Sequence, residues 1–227
     1  MSRSGKTVKI GIIGGTGKLG RGLALRLAIA GFKILIGSRS REKAERVRRE
    51  LEETLRSRGF DAEIDGGFNS DVAMQSHVII LSVPFTGLDK ILDQIKEGLK
   101  SDAVVISPVV PITWEKGKPV YVERPYRYSI AEHIAEYLGH SKVASALHTV
   151  SFKLLYDIER EVKGDVIVCA DDEEAKRVAF NIVESIPSLR PVDGGPLGNS
   201  RFAEDLAYLV VDIGRRIKSP DLAVRFV

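Results

Sequence analysis

The sequence predicts an α/β protein built on a doubly wound parallel sheet, with a smaller α/β domain at its C-terminal end. Three observations predict it. Short β-branched runs alternate with stretches of helical period along most of the chain, the pattern of parallel strands covered by helices on both faces. The first run stops at a glycine cluster, Gly14-Gly15-Thr16-Gly17-Lys18-Leu19-Gly20, and a helix-period stretch begins at once. A chain of 227 residues with 44% hydrophobic content can bury one large core or two unequal ones.

Residues 8–13 form the first expected strand and residues 19–30 the first helix, which Gly31 closes in the C′ position. Residues 33–37 are the second strand and complete a βαβ unit. A long charged helix (40–58), a weak strand (62–65) and a short helix (69–75) follow. Next comes a strong strand over 78–83, ended by Pro84, then a helix over 88–99 and a strand over 103–107. From 108 to 128 the pattern lapses into Pro108, Pro111, Gly117, Pro119 and Pro125 with aromatic residues between them. That is too long for an ordinary connection and reads as a functional loop or lid. A helix (129–138) and a strand (142–147) end the first half, and a boundary near Val150 separates residues 1–150 from 151–227. The second part reads as a helix (154–162), a strand (165–169), a helix opened by Asp171 or Asp172, a strand (189–193), a glycine turn (194–200) and a last helix to about Ile217.

Bulk properties exclude several classes. The net charge of +3 comes from 34 basic side chains set against 31 acidic ones, with no basic block, so no nucleic-acid partner is expected. The richest charge run, 39–58, interleaves Glu42, Glu45, Glu50, Glu52 and Glu53 with basic residues at helical spacing, as a solvated, ion-paired face does. One cysteine, Cys169, permits neither a disulfide framework nor a thiolate metal set. Residues 1–6 are polar, and the longest apolar helical segment, 23–30, is broken by Arg26, so no membrane span is expected and a cytoplasmic location is.

The chemistry starts at the glycine cluster. A G-x-G-x-x-G string after a strand and at the start of a helix is the Rossmann dinucleotide fingerprint. Gly15 serves the tight turn, Gly17 lets the diphosphate approach the backbone, and Gly20 lets the helix pack on the sheet, with Thr16, Lys18 and Leu19 lining the same loop. An NAD protein places Asp or Glu at the end of the second strand, whereas this chain has Gly37-Ser38-Arg39. Arg39 can meet a 2′-phosphate as a planar fork, Ser38 can donate a hydroxyl, and Lys43 adds charge one turn later, so the expected cofactor is NADP(H).

No catalytic residue is certain. His77, His133 and His140 read as structural or solvent-facing. His148 is the candidate, because it follows a parallel strand at the edge where open α/β sheets bind ligands. Ser82-Val83-Pro84 and Ser107-Pro108-Val109-Val110-Pro111 end strands at the same edge and make rigid, mostly apolar walls suited to a flat ring. Asn199, Ser200 and Arg201 open the last helix after the glycine turn, a second potential anion site. No tyrosine is followed four residues on by lysine, and neither G-x-S-x-G nor H-E-x-x-H occurs, which argues against the short-chain dehydrogenase relay and against hydrolysis.

With these motifs, the chain resembles the NADPH:coenzyme F-420 (8-hydroxy-5-deazaflavin) oxidoreductases over nearly its whole length. The resemblance rests on the glycine loop, Ser38-Arg39 with Lys43, residues 107–111, Ser145-Ala146-Leu147-His148-Thr149 and Gly195-Pro196-Leu197-Gly198-Asn199-Ser200-Arg201. It implies that Val83 and Pro84 border the nicotinamide and that the deazaflavin lies against 107–111, His148, Val150 and the turn from Leu197 to Arg201. It also implies direct hydride transfer between small-molecule coenzymes in a homodimer, with 1–150 as the NADP-binding domain and 151–227 completing the second cleft. The chain departs from the family pattern at Phe152, where a small residue is usual, and at Phe85 and Gly198. Two other readings remain open: an NADPH-dependent reductase of another carbonyl or imine, and a non-catalytic NADP(H) sensor, which a filled second cleft would favour.

Overall fold

The computed structural model describes residues 8–219 and 221–227; the polar start, Met1 to Lys6, lies outside them. β1 (Lys9–Ile13), α1 (Lys18–Ile29), β2 (Lys33–Ser38), α2 (Arg41–Arg56), β3 (Ile64–Phe68), α3 (Asn69–Gln75), β4 (Val78–Leu81), α4 (Leu88–Lys96) and β5 (Val104–Ser107) alternate as the periodicity predicts. A hairpin of β6 (Ile112–Glu115) and β7 (Lys118–Tyr121) follows, then α5 (Ile130–Leu138), β8 (Val143–Ser145), α6 (Phe152–Tyr156), β9 (Gly164–Ala170), α7 (Glu173–Glu184), β10 (Leu189–Asp193) and α8 (Ser200–Arg216).

Eight strands form one sheet in the order β10-β9-β8-β5-β4-β1-β2-β3. β3, β2, β1, β4, β5 and β8 pair in parallel. Along β1, β2 and β4, Ile10, Ile12, Ile34, Ile36, Val78 and Ile80 enter one core, and Ile13, Leu35, Ile79 and Leu81 enter another. Burial on both faces is why these strands read as continuous apolar runs.

β9 and β10 extend the same sheet, parallel to each other but antiparallel to β8, which β9 meets only at Ala144↔Ala170 and Ser145↔Cys169. The expectation of parallel strands therefore does not hold at this junction. Residues 146–163 fold back across α1 without a full crossover helix, so the chain re-enters the sheet in the opposite sense.

Two further elements differ from expectation. Residues 108–128 contain the β6–β7 ribbon, turned at Lys116 (φ 47°) and Gly117 (φ 76°). Pro119 fits it because a strand of a two-stranded ribbon has an edge that needs no N–H. The helix expected over 154–162 is instead the five-residue α6. Arg26 of α1 ends it by donating to the carbonyls of Leu154, Leu155, Asp157, Ile158 and Arg160. α1 and α6 meet so closely that a Cβ at Gly22 would lie 2.6 Å from Leu155 Cβ. No helix among the described residues is long and apolar enough to cross a membrane.

Candidate functional site

The parallel strands β1, β2, β3, β4, β5 and β8 deliver their C-terminal ends to one edge of the sheet, and the segments after β1, β2, β4, β5 and β8 leave from there. After β1 the Gly15 amide donates to Ile12 O and to Gly37 O, both at 3.0 Å, and the Gly17 amide donates to Gly14 O at 3.0 Å. Gly14 has φ 71°, and a Cβ there would lie 2.6 Å from Ser82 O, so the loop lies directly against the segment leaving β4. A Cβ on Gly20 would sit 2.7 Å from Gly15 Cα. α1 starts without a side-chain cap and without an acidic residue in its first turn, leaving its first N–H groups for an anion.

Asn69, buried at the start of α3, accepts from the Gly14 amide at 3.4 Å and donates to Gln94 Oε1 at 2.9 Å, tying the loop to the opposite face. Sequence reading missed it, because an asparagine opening a helix carries only a capping signal.

At the end of β2, Ser38 is buried and its Oγ accepts from the Ser40 amide at 3.2 Å, while Ser40 caps α2 by accepting from the Lys43 amide. Within α2, Arg48 pairs with Glu45 and Glu52, and Glu50 takes Arg46 and Arg21. Arg39 and Lys43 are exposed and enter no ion pair among the described residues. In the charge run Arg46, Arg48 and Arg58 are ion-paired, whereas Arg39, Arg41, Lys43, Arg49 and Arg56 enter no ion pair among the described residues, and Arg39 follows β2 directly.

Ser82 and Val83 are half-buried and Pro84 is exposed; Pro108 and Val109 are buried behind Ser107, whose Oγ accepts from the Val109 amide at 3.4 Å. After β8 the chain turns at Leu147, a non-glycine residue with φ 69°, a conformation that stores strain and sets the direction of His148. His148 as a residue is half-buried, but its ring Nε2 is enclosed without a hydrogen-bond partner. Burial lowers its pKa to about 4, opposed by a hydrogen bond to the Ser107 backbone, so the ring is neutral at physiological pH. The other histidines are structural: His77 Nδ1 accepts from the Lys9 amide, His133 meets Asp89, and His140 meets Ala103 O.

His148 and Val150 line a cavity of about 410 Å³ with Trp114, Phe152 and one face of α8. A second hollow of about 430 Å³ lies beside Thr16, Lys18 and Arg21. Phe152 and Lys153 belong to both, and Lys18 Nζ sits 5.2 Å from the Phe152 ring centroid. Phe152 is therefore a wall between the glycine loop and the His148 cleft.

The turn before α8 is placed differently from the other segments. Leu197 is buried and its amide donates to Asp171. Asn199 Nδ2 donates to Gly194 O, and the Ser200 hydroxyl is buried on Ser145 Oγ at 2.7 Å. Arg201 Nη1 donates to Arg127 O and borders a separate hollow. Like Ser82, Val83, Pro84, Pro108 and Val109, these four line neither cavity; the Ser200 hydroxyl seats the start of α8 on Ser145 of β8. Glu204 of α8 accepts from the Ile130 and Ala131 amides and from Arg124, anchoring α5, while burial pushes its pKa up to about 7. No group of His, Cys, Asp and Glu side chains among the described residues is arranged to hold a metal.

A glycine loop at a sheet edge, an uncapped helix start, unpaired cations in place of a carboxylate after β2, and an adjoining apolar cleft define an NADP-dependent oxidoreductase of the Rossmann class. Residues 9–111 match the family model described as NADP oxidoreductase, coenzyme F420-dependent. The F420-dependent NADP reductase of Methanocaldococcus jannaschii is 40% identical over 96% of this chain and 97% of its own length. That of Methanothermobacter thermautotrophicus is 33% identical over 96% of this chain and 94% of its own. A crystal structure of a candidate F420-dependent NADP reductase from Arthrobacter sp. FB24 shares the fold with a TM-score of 0.80 at 21% identity, covering 97% of this chain and 99% of that one. The chain belongs to the coenzyme F420-dependent NADP oxidoreductase family.

Proposed function

We propose that the protein transfers a hydride directly between NADP(H) and coenzyme F420, in a homodimer in the cytoplasm. The observation that carries this reading is an open second cleft, about 410 Å³ and reaching His148, which shares Phe152 and Lys153 with the hollow beside the glycine loop. A sensor would have that space filled. The bound coenzymes supply the electronic chemistry, the nicotinamide as hydride donor and the deazaflavin as acceptor.

The chain's own task is binding, orientation and exclusion of water. Cβ atoms at Gly14, Gly15 and Gly20 would collide with backbone, so the loop keeps the close approach a diphosphate needs. In this reading the uncapped start of α1 takes the diphosphate, with Thr16, Gly17, Lys18 and Leu19 around it. Ser38, Arg39 and Lys43 take the 2′-phosphate. Ser82, Val83 and Pro84 border the nicotinamide, and Pro108, Val109, His148 and Val150 face the deazaflavin. Neutral His148 serves in this reading as part of the wall facing the ring rather than as an acid. Two stacked rings held in register need little else, since proximity and orientation supply most of the rate.

An apolar stripe on α8, with Phe202 67%, Leu209 52% and Ile213 40% exposed, supports the homodimer, and size-exclusion light scattering tests it. The lone cysteine, Cys169, suits a reducing compartment. Mixing protein, NADPH and oxidised coenzyme F420 and following loss of deazaflavin absorbance tests the reaction; no turnover would refute it.

A further inference from the structure

The cavity beside His148 has two chemistries. Its walls are apolar, from Trp114, Val150, Phe152, Ala207, Val210 and Val211, and no carboxylate lines it. Its polar side includes three exposed cations, Lys153 of α6 with Arg215 and Lys218 at the end of α8. Lys153 and Lys218 enter no ion pair among the described residues, and Arg215 shares Asp212 at 3.4 Å with Arg216. Three cations against one carboxylate, bordering an apolar slot, select a ligand with a flat apolar head and an anionic tail.

We propose that Lys153, Arg215 and Lys218 form the subsite for the anionic tail of the deazaflavin coenzyme, the phosphodiester and carboxylates carried beyond its ring and polyol chain. The assignment rests on the reaction proposed above. Lys153 stands at the partition, since it also borders the hollow of Thr16, Lys18 and Arg21. A tail held there leaves the ring to enter toward His148, and the cations raise the local concentration of the coenzyme over neutral competitors of the same shape.

The test compares whole coenzyme F420 with its ribityl deazaflavin, the same ring and polyol chain lacking phosphate and carboxylates. Wild type is measured against Lys153→Gln/Lys218→Gln and the charge-reversed Lys153→Glu/Lys218→Glu. These side chains are exposed and unpaired, so the fold is retained. KM for the whole coenzyme should rise about tenfold in the first variant and further in the second, with kcat and the KM for the ribityl deazaflavin within about twofold. Raising salt should weaken wild-type binding of the coenzyme but not of the ribityl deazaflavin. An equal change for both acceptors, no change, or a rise confined to the NADPH KM would overturn the subsite. Wild type that reduces neither acceptor would instead refute the reaction, and the subsite with it.

Discussion

Replacing Arg26 by methionine keeps an apolar stem of similar reach and removes a buried guanidinium. In the native protein Nε donates to Leu155 O at 3.0 Å, and Nη2 approaches the carbonyls of Leu154, Asp157 and Arg160 at 2.7, 2.6 and 2.7 Å. Burial lowers its pKa and Asp157 opposes that, yet a guanidinium stays charged. The bonds to Leu154 and Leu155 are buried, whereas the outer ones are partly exposed and water can replace them. Orphaning two buried carbonyls at about 1–3 kcal/mol each gives a loss of about 4 kcal/mol. For a chain of this length each kcal/mol moves the melting temperature by about 2–4 °C, so a fall of roughly 10 °C is expected. Because α6 carries Phe152 and Lys153, the deazaflavin KM should rise while the NADPH KM holds. Calorimetry and steady-state kinetics on Arg26→Met and on Arg26→Lys, which should fall between, check this. A melting temperature within about 2 °C of wild type would refute the idea that Arg26 clamps the segment.

Three further outcomes follow from the site. Arg39→Ala should weaken NADP(H) binding by about ten- to a hundredfold and leave NAD(H) nearly unchanged, as loss of a charge-assisted pair to the 2′-phosphate implies; equal losses by titration would refute that role. Phe152→Ala joins the two hollows, and kcat with the deazaflavin should fall about tenfold with NADP(H) affinity retained, because the ring loses the wall that positions it; unchanged kinetics would show that Phe152 is no partition. His148 has a folded pKa of about 4, below its unfolded value near 6.5. Above that range neither state is protonated, and as pH falls from 6.5 to 4 the unfolded chain takes up the proton first, so stability is lost across this window. The melting temperature of wild type should fall relative to that of His148→Gln as pH drops from 7 to 4; a constant difference would contradict the buried neutral ring.

Much of this was legible in the chain. The β-branched runs announced the parallel core because strands buried on both faces have no polar side. The close backbone approach of the glycine loop and the exposed charge of Arg39 after β2 were readable since both are local properties. Long-range partnerships were not readable. Arg26 looked like a break in an apolar helix, yet it satisfies carbonyls more than 125 residues away. The sequence did not show that the Asn199 and Ser200 side chains turn back onto Gly194 and Ser145. The β6–β7 ribbon was hidden by prolines that an edge tolerates, and the reversal at β9 depends on a fold-back whose anchor is again Arg26.

The most direct test of the central claim uses NADPH carrying deuterium at the transferred position of nicotinamide C4, with oxidised coenzyme F420 in ordinary water. Direct ring-to-ring transfer predicts that the reduced deazaflavin carries the deuterium at C5, as read by mass spectrometry and NMR. Reduced product carrying only solvent hydrogen at C5, or no reduced product at all, would contradict it.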